Sequence, residues 1–123
     1  MNARKLGMAF ERKVEALLQK QGYETCTPRS TARVLGRGFA IHTDFFGLFD
    51  GIAQLHWTNN GNAEALGVPK RIWWQCKRNW LDFAHQKKGR DIKAGVRGFE
   101  RLQYEEKRIY YLNEGQICFE AIP

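Results

Sequence analysis

The run RIWWQCK at residues 71–77 alternates with a period of two, so as a strand it sends Ile72, Trp74 and Cys76 to one face and Trp73, Gln75 and Lys77 to the other. The first face is apolar throughout and has to be buried. The second sets an amide and an ammonium beside a large aromatic ring, a composition that suits a site better than a core. Any fold of this chain must cover one side of that strand and find polar partners for the other.

The remaining sequence supplies the cover. In LGMAFERKVEALLQKQG, residues Leu6, Phe10, Val14, Leu17 and Leu18 form one apolar helical stripe, and Gly22 stands where a helix C-terminus needs a permissive residue. Glu11 falls on the border of the stripe and can reach inward, whereas Glu15 falls further toward solvent. YETCTP has the content of a short strand, and RSTARVLGRG after it reads as a basic, glycine-bearing loop. FFGLFDGIAQLHW is a second strand region, in which Gly47 and Gly51 suggest a bulge or a close backbone approach. The turn-rich TNNGNAEALGVP leads to the third strand, KRIWWQCKRNW. A helical stretch interrupted by Gly89, Gly95 and Gly98 follows, and then two strands around the turn NEG. The predicted order is αβββαββ: one α/β domain over residues 1–123, with a mixed β-sheet flanked by helices.

Charge is distributed in blocks. Residues 1–38 carry 8 basic and 3 acidic groups, residues 39–69 carry 3 acidic groups and no basic one, and residues 70–108 carry 12 basic and 5 acidic groups, within a net charge of +7. Such a chain favours an anionic partner, with nucleic acid first. Arg33, Arg37, Lys87, Lys88 and Arg90 are candidate phosphate contacts, the last three within a run that also reads as a solvated charged face. A protein that only coats DNA has little reason to keep Asp44 and Asp50 in a segment without Lys or Arg, whereas a metal-dependent nuclease needs carboxylates there. The three cysteines, Cys26, Cys76 and Cys118, fit neither a disulfide framework nor a zinc ribbon, and the histidines sit at no metal-ligand spacing. With no signal-like or membrane-length apolar run, a soluble cytoplasmic protein is expected.

If the second and third strands pair, Asp50 faces Gln75 and Lys77 across the sheet, since opposed side chains lie about 5 Å apart. Glu11 approaches from the helix packed above. Two carboxylates, an amide oxygen and an ammonium are the groups that divalent-metal phosphodiester hydrolysis uses.

On these residues the chain resembles the PD-(D/E)XK nucleases, and within them the archaeal Holliday-junction resolvase branch. GMAFERKVEALLQKQGYETCTPRS looks like the opening helix, strand and Arg-Ser loop of those enzymes, DFFGLFDGIAQ like the strand bearing their Asp, and QCK stands at their (D/E)XK tripeptide. The resemblance implies a restriction-endonuclease-like fold and catalytic roles for Glu11, Asp50, Gln75 and Lys77. It implies Mg²⁺, with Mn²⁺ as a substitute, held by the first three, and phosphate contacts by Arg29 and Ser30. It further implies an endonuclease acting on Holliday junctions or other branched DNA in recombination, as a homodimer. Gln75 departs from the acidic residue of the pattern and is a weaker, neutral ligand; Asp44 is the alternative carboxylate. Trp73, Trp74 and Trp80 are read as packing residues ahead of base-stacking platforms. Two other readings remain open: a nucleic-acid-binding module of the same fold without turnover, and a restriction-type or mobile-element nuclease with another DNA substrate.

Overall fold

The computed structural model describes residues 3–28, 44–56 and 66–123. Its elements run α1 (Ala3–Lys20), β1 (Tyr23–Cys26), β2 (Gly51–Leu55), β3 (Arg71–Cys76), α2 (Trp80–Phe83), α3 (Lys87–Gly98), β4 (Glu105–Asn113) and β5 (Gln116–Ile122). The five strands form one sheet in the order β1-β2-β3-β4-β5. All neighbours are antiparallel except β3 and β4, which are parallel. A parallel pair needs a crossover, and α2 and α3 lie within it. This is the mixed α/β architecture expected, with the helical segment divided in two.

The alternation of β3 divides the interior as the sequence requires. Toward α1, Phe10, Val14 and Leu18 of the helical stripe pack with Tyr23, Ala53, Leu55, Ile72, Trp74 and Tyr110. Toward α2 and α3, Phe49, Trp80, Val96, Ile109 and Ile122 form the second core, with Trp73 and Phe99 against it. Gly22, at φ +98°, ends the turn after α1 as expected. Glu114 and Gly115, both at positive φ, close the β4–β5 hairpin between the paired Asn113 and Gln116, the two-residue geometry that suits strand twist.

Two expectations are corrected. Residues 45–49 form a tight turn, with Leu48 and Phe49 N–H both donating to Phe45 O at 3.0 Å, and β2 begins only at Gly51. The aromatic content of FFGLF suits a strand, but Phe46 and Gly47 both take positive φ and reverse the chain. Lys77 lies one residue beyond the end of β3, its N–H donating to Tyr110 O at 2.9 Å. No helix among the described residues is long and apolar enough to cross a membrane.

Lys107 secures α3 to the sheet. Its side chain is 1% exposed, and its ammonium donates to Val96 O (2.6 Å), Arg97 O (3.0 Å) and Phe99 O (2.6 Å) at the end of α3. All three of its donors are thus used on carbonyls around the helix C-terminus, where the dipole also favours a cation. Lys107→Met keeps the length of the side chain and removes the donors. It is expected to lower unfolding stability by about 2–4 kcal/mol, because buried carbonyls lose charged hydrogen bonds. A urea-unfolding change below about 1 kcal/mol would mean that these carbonyls are served in another way.

Candidate active site

Gly51 is registered against Trp74, and a Cβ built on it would lie 2.1 Å from the Trp74 ring. Only glycine lets the strands meet here, which is the close approach expected from its position. One residue earlier, Asp50 N–H donates to Trp74 O at 2.8 Å. Asp50 and Gly51 therefore both address Trp74, two residues against one as in a β-bulge, which redirects the Asp50 side chain. Its Oδ2 accepts the Cys76 N–H at 2.6 Å.

Backbone N–H groups of a strand lie in the plane of its sheet, so the carboxylate sits at the strand end, between the two faces. From the α1 side comes Glu11, half-buried on the border of the helical stripe. Burial first and the Glu11 charge second push the Asp50 carboxyl up to about 7, against the opposing Cys76 N–H and Lys77 and with a smaller upward push from Asp44. Four of the sequence-derived candidates, Glu11, Asp44, Asp50 and Lys77, are thus coupled electrostatically at one place. Glu15 is also half-buried but is not among the charges acting on Asp50.

Gln75, the residue before Cys76, points to the other face of the sheet, where its register partner on β4 is Ile109 of the second core. Its Oε1 is buried and accepts no hydrogen bond among the described residues. Such an atom costs about 1–3 kcal/mol unless something donates to it or coordinates it. An amide oxygen and two carboxylates are hard donors suited to Mg²⁺, which characteristically takes one or two carboxylates, retains waters and completes its sphere with phosphate oxygens. The donor set fits that ion. It does so without a cage of three His, Cys, Asp or Glu side chains, none of which occurs among the described residues.

Lys87, Lys88 and Arg90 are exposed in the first turn of α3, where no acidic residue occurs. Lys87 has an i,i+4 partner, Asp91, at 3.9 Å. Cations at the positive end of a helix dipole are mildly unfavourable, so their crowding here suits an external anion. Arg29, Ser30, Arg33 and Arg37 lie outside the described residues.

Three contributors went unread in the sequence. The Cys76 backbone N–H fixes Asp50, while burial and then the Asp50 and Glu11 charges push the Cys76 thiol well above the usual range, keeping it neutral. Glu105 fixes Trp73: one carboxylate oxygen accepts the Trp73 indole N–H (3.3 Å) and Leu102 N–H (2.9 Å), the other Arg71 Nη1 (3.1 Å). Phe46 stands on the turn that leads to Asp50. Backbone donors leave no trace in residue type, and Glu105 sits in a segment whose composition reads as helical. Comparison with protein-family models, with curated proteins and with solved structures found no match.

Proposed function

We propose that this chain is a Mg²⁺-dependent DNA endonuclease with a PD-(D/E)XK-like site in a restriction-endonuclease-like fold, acting on Holliday junctions or other branched DNA. The observation that carries the reading is the half-buried Asp50, held just before β2 between the Glu11 and Lys77 charges and fixed by Cys76 N–H; the neighbouring residue of β3, Gln75, has a buried Oε1 without a hydrogen-bond partner among the described residues. Two like charges at a half-buried place are unfavourable neighbours without a cation. Glu11, Asp50 and Gln75 would hold Mg²⁺, with Asp44 near enough to act on the same charge. When bound, Mg²⁺ supplies a polarised phosphate and a more acidic water. Lys77 acts on Asp50 through its charge, and from there it can orient the attacking water and stabilise charge developing on the phosphate. The exposed Lys87, Lys88 and Arg90 hold the DNA backbone. On this reading a homodimer makes the two symmetric nicks of a junction.

The decisive variant is Asp50→Asn. Cleavage of four-way junctions in Mg²⁺ or Mn²⁺ is expected to vanish, with DNA affinity equal or higher because a negative charge is lost. The same variant carries a stability signature. The folded-state value near 7 lies above the ordinary aspartate value of 3.8, so the folded protein favours the protonated carboxyl. That stabilisation is present in full below about pH 4 and is lost as the pH rises through about 7. Removing the charge is expected to raise stability by up to about 4 kcal/mol at pH 8, with the gain shrinking toward pH 4. Mg²⁺ should raise the Tm of the wild type more than that of the variant. Equal cleavage by Asp50→Asn and wild type would remove the site.

Lys77→Ala is expected to slow cleavage by on the order of a hundredfold while largely preserving DNA binding. A near wild-type rate would show the lysine to be misassigned. Gln75→Glu adds a charged ligand and is expected to lower the Mg²⁺ concentration needed for cleavage. If only this variant cuts, the natural chain is the binding module without turnover that its neutral Gln75 would suit.

A further inference from the structure

The turn at residues 45–49 holds a side chain that neither core explains. Phe46 takes φ 59° and is 72% exposed, while Gly47 beside it takes φ 69°. In a turn with two positive-φ residues, Asn or Asp is the usual choice at the first position, and a bulky aromatic residue there is disfavoured. Exposure means that little burial offsets the cost. Yet the ring does not hang free: its centroid lies 5.6 Å from Phe99 and 6.3 Å from Trp73. These rings pack in turn on Phe49, at 5.1 and 5.5 Å, and on each other at 5.0 Å. Phe46 is therefore the outermost member of an ordered aromatic cluster whose base is rigid. Phe49 is fully buried, Trp73 is fixed by Glu105, and the Phe99 carbonyl is held by Lys107.

The exposed Arg97 and Arg101 stand two residues to either side of Phe99 in the chain, and the cluster is joined to the site along the strands. Arg101 donates to Glu105 O at 3.1 Å, and the positive charges of Arg101 and Arg97 both act on Lys107. Phe49 immediately precedes Asp50, and Trp73 lies two residues before Gln75 on the same face of β3, a separation of about 7 Å along a strand. We propose that Phe46, backed by Trp73 and Phe99, the latter flanked in the chain by Arg97 and Arg101, is a stacking platform for an unpaired nucleobase within one or two nucleotides of the phosphate taken at the candidate site. A flat ring flanked by phosphates matches an aromatic face with guanidinium neighbours, and base–aromatic stacking tolerates any sequence. A protein partner would meet the same rings, but the +7 charge and the arginines flanking Phe99 favour a polyanion. The inference rests on the DNA-directed reading above and narrows its substrate to DNA with an unpaired or splayed base, as at a branch point.

The test is binding in EDTA, where no cleavage is needed. Wild type, Phe46→Ala and Phe46→Trp are compared on a perfect duplex and on the same duplex with a bulge carrying 2-aminopurine. The wild type is expected to prefer the bulged form and to change the 2-aminopurine fluorescence as the base stacks. Phe46→Ala should reduce that preference about tenfold and lose the fluorescence change, and Phe46→Trp should restore both. An unchanged preference in Phe46→Ala, or no preference in the wild type, overturns the proposal. So does a Phe46→Ala variant whose only altered property is self-association in sedimentation, which would make the cluster an interface between copies. A chain that shows the Phe46-dependent preference but cuts nothing in Mg²⁺ would keep the platform and lose the nuclease reading. A chain that cuts junctions with Phe46→Ala unchanged on bulged DNA would do the reverse.

Discussion

The packing of Trp74 over Gly51 sets the geometry on which the candidate site depends. With a Cβ 2.1 Å from the indole, no other residue at position 51 leaves β2 and β3 in this register without displacing the ring. The register places the step before β2 beside the end of β3, so that Asp50 addresses Trp74 O with its amide and Cys76 N–H with its carboxylate. A slip of one residue would send each β3 side chain to the opposite face. Trp74 would leave the α1 core, and Trp73 and Gln75 would together leave the side of the sheet that faces the second core. The glycine thus fixes a core and a site through a single contact.

The same arrangement makes α1 and α3 contribute differently. The apolar stripe of α1 fills the core on its side and leaves Glu11 at the border, so its charge is brought to Asp50 by burial of its neighbours Phe10 and Val14. Helix α3 is held by Val96 in the second core and by Lys107 at its C-terminal end. Its first turn, with Lys87, Lys88 and Arg90, stays exposed. The turn at residues 45–49 meets this helix where Gly95 is; a Cβ there would come within 2.8 Å of Leu48 Cδ2.

Much of this was legible because it rests on periodicity. The stripe of α1, the alternation of RIWWQC, the stop at Gly22 and the hairpin around Glu114 and Gly115 are all local patterns that tertiary structure reinforces. Glu11, Asp44, Asp50 and Lys77 were legible as carboxylates and a lysine at suggestive places, and they do share one electrostatic neighbourhood. The turn at residues 45–49 was not legible, because Phe-Phe-Gly-Leu-Phe has strand composition and Phe46 is an unusual residue for positive φ. The β3–β4 pairing was hidden for another reason: parallel neighbours are joined across a crossover, and nothing local encodes which strand returns to which side. Glu105 and the Cys76 amide act through that pairing and through the backbone, beyond the reach of a pattern in residue types.

Three departures from ordinary folding preference lie close together along the chain and across one strand pair: an exposed aromatic residue at positive φ, a half-buried carboxyl raised to about 7, and a buried amide oxygen without a donor among the described residues. Elsewhere the protein satisfies equally demanding groups. Lys107 uses all its donors, and the buried Arg108 bonds Glu106 and Tyr110 while its guanidinium stacks 3.9 Å from the Phe119 ring centroid. A fold that settles a buried lysine and arginine so completely is not a poorly optimised one. Local conflicts gathered beside one strand pair are what a functional site produces, since its groups are selected for what they do to a ligand; Tyr104, also exposed at positive φ, stands apart from that group. The conflicts here have complementary needs: the carboxylates and the amide oxygen call for a cation, the lysine for an anion, and the aromatic face for a flat ring. A metal ion, a phosphate and a nucleobase would satisfy all of them together, and DNA brings the last two as one molecule.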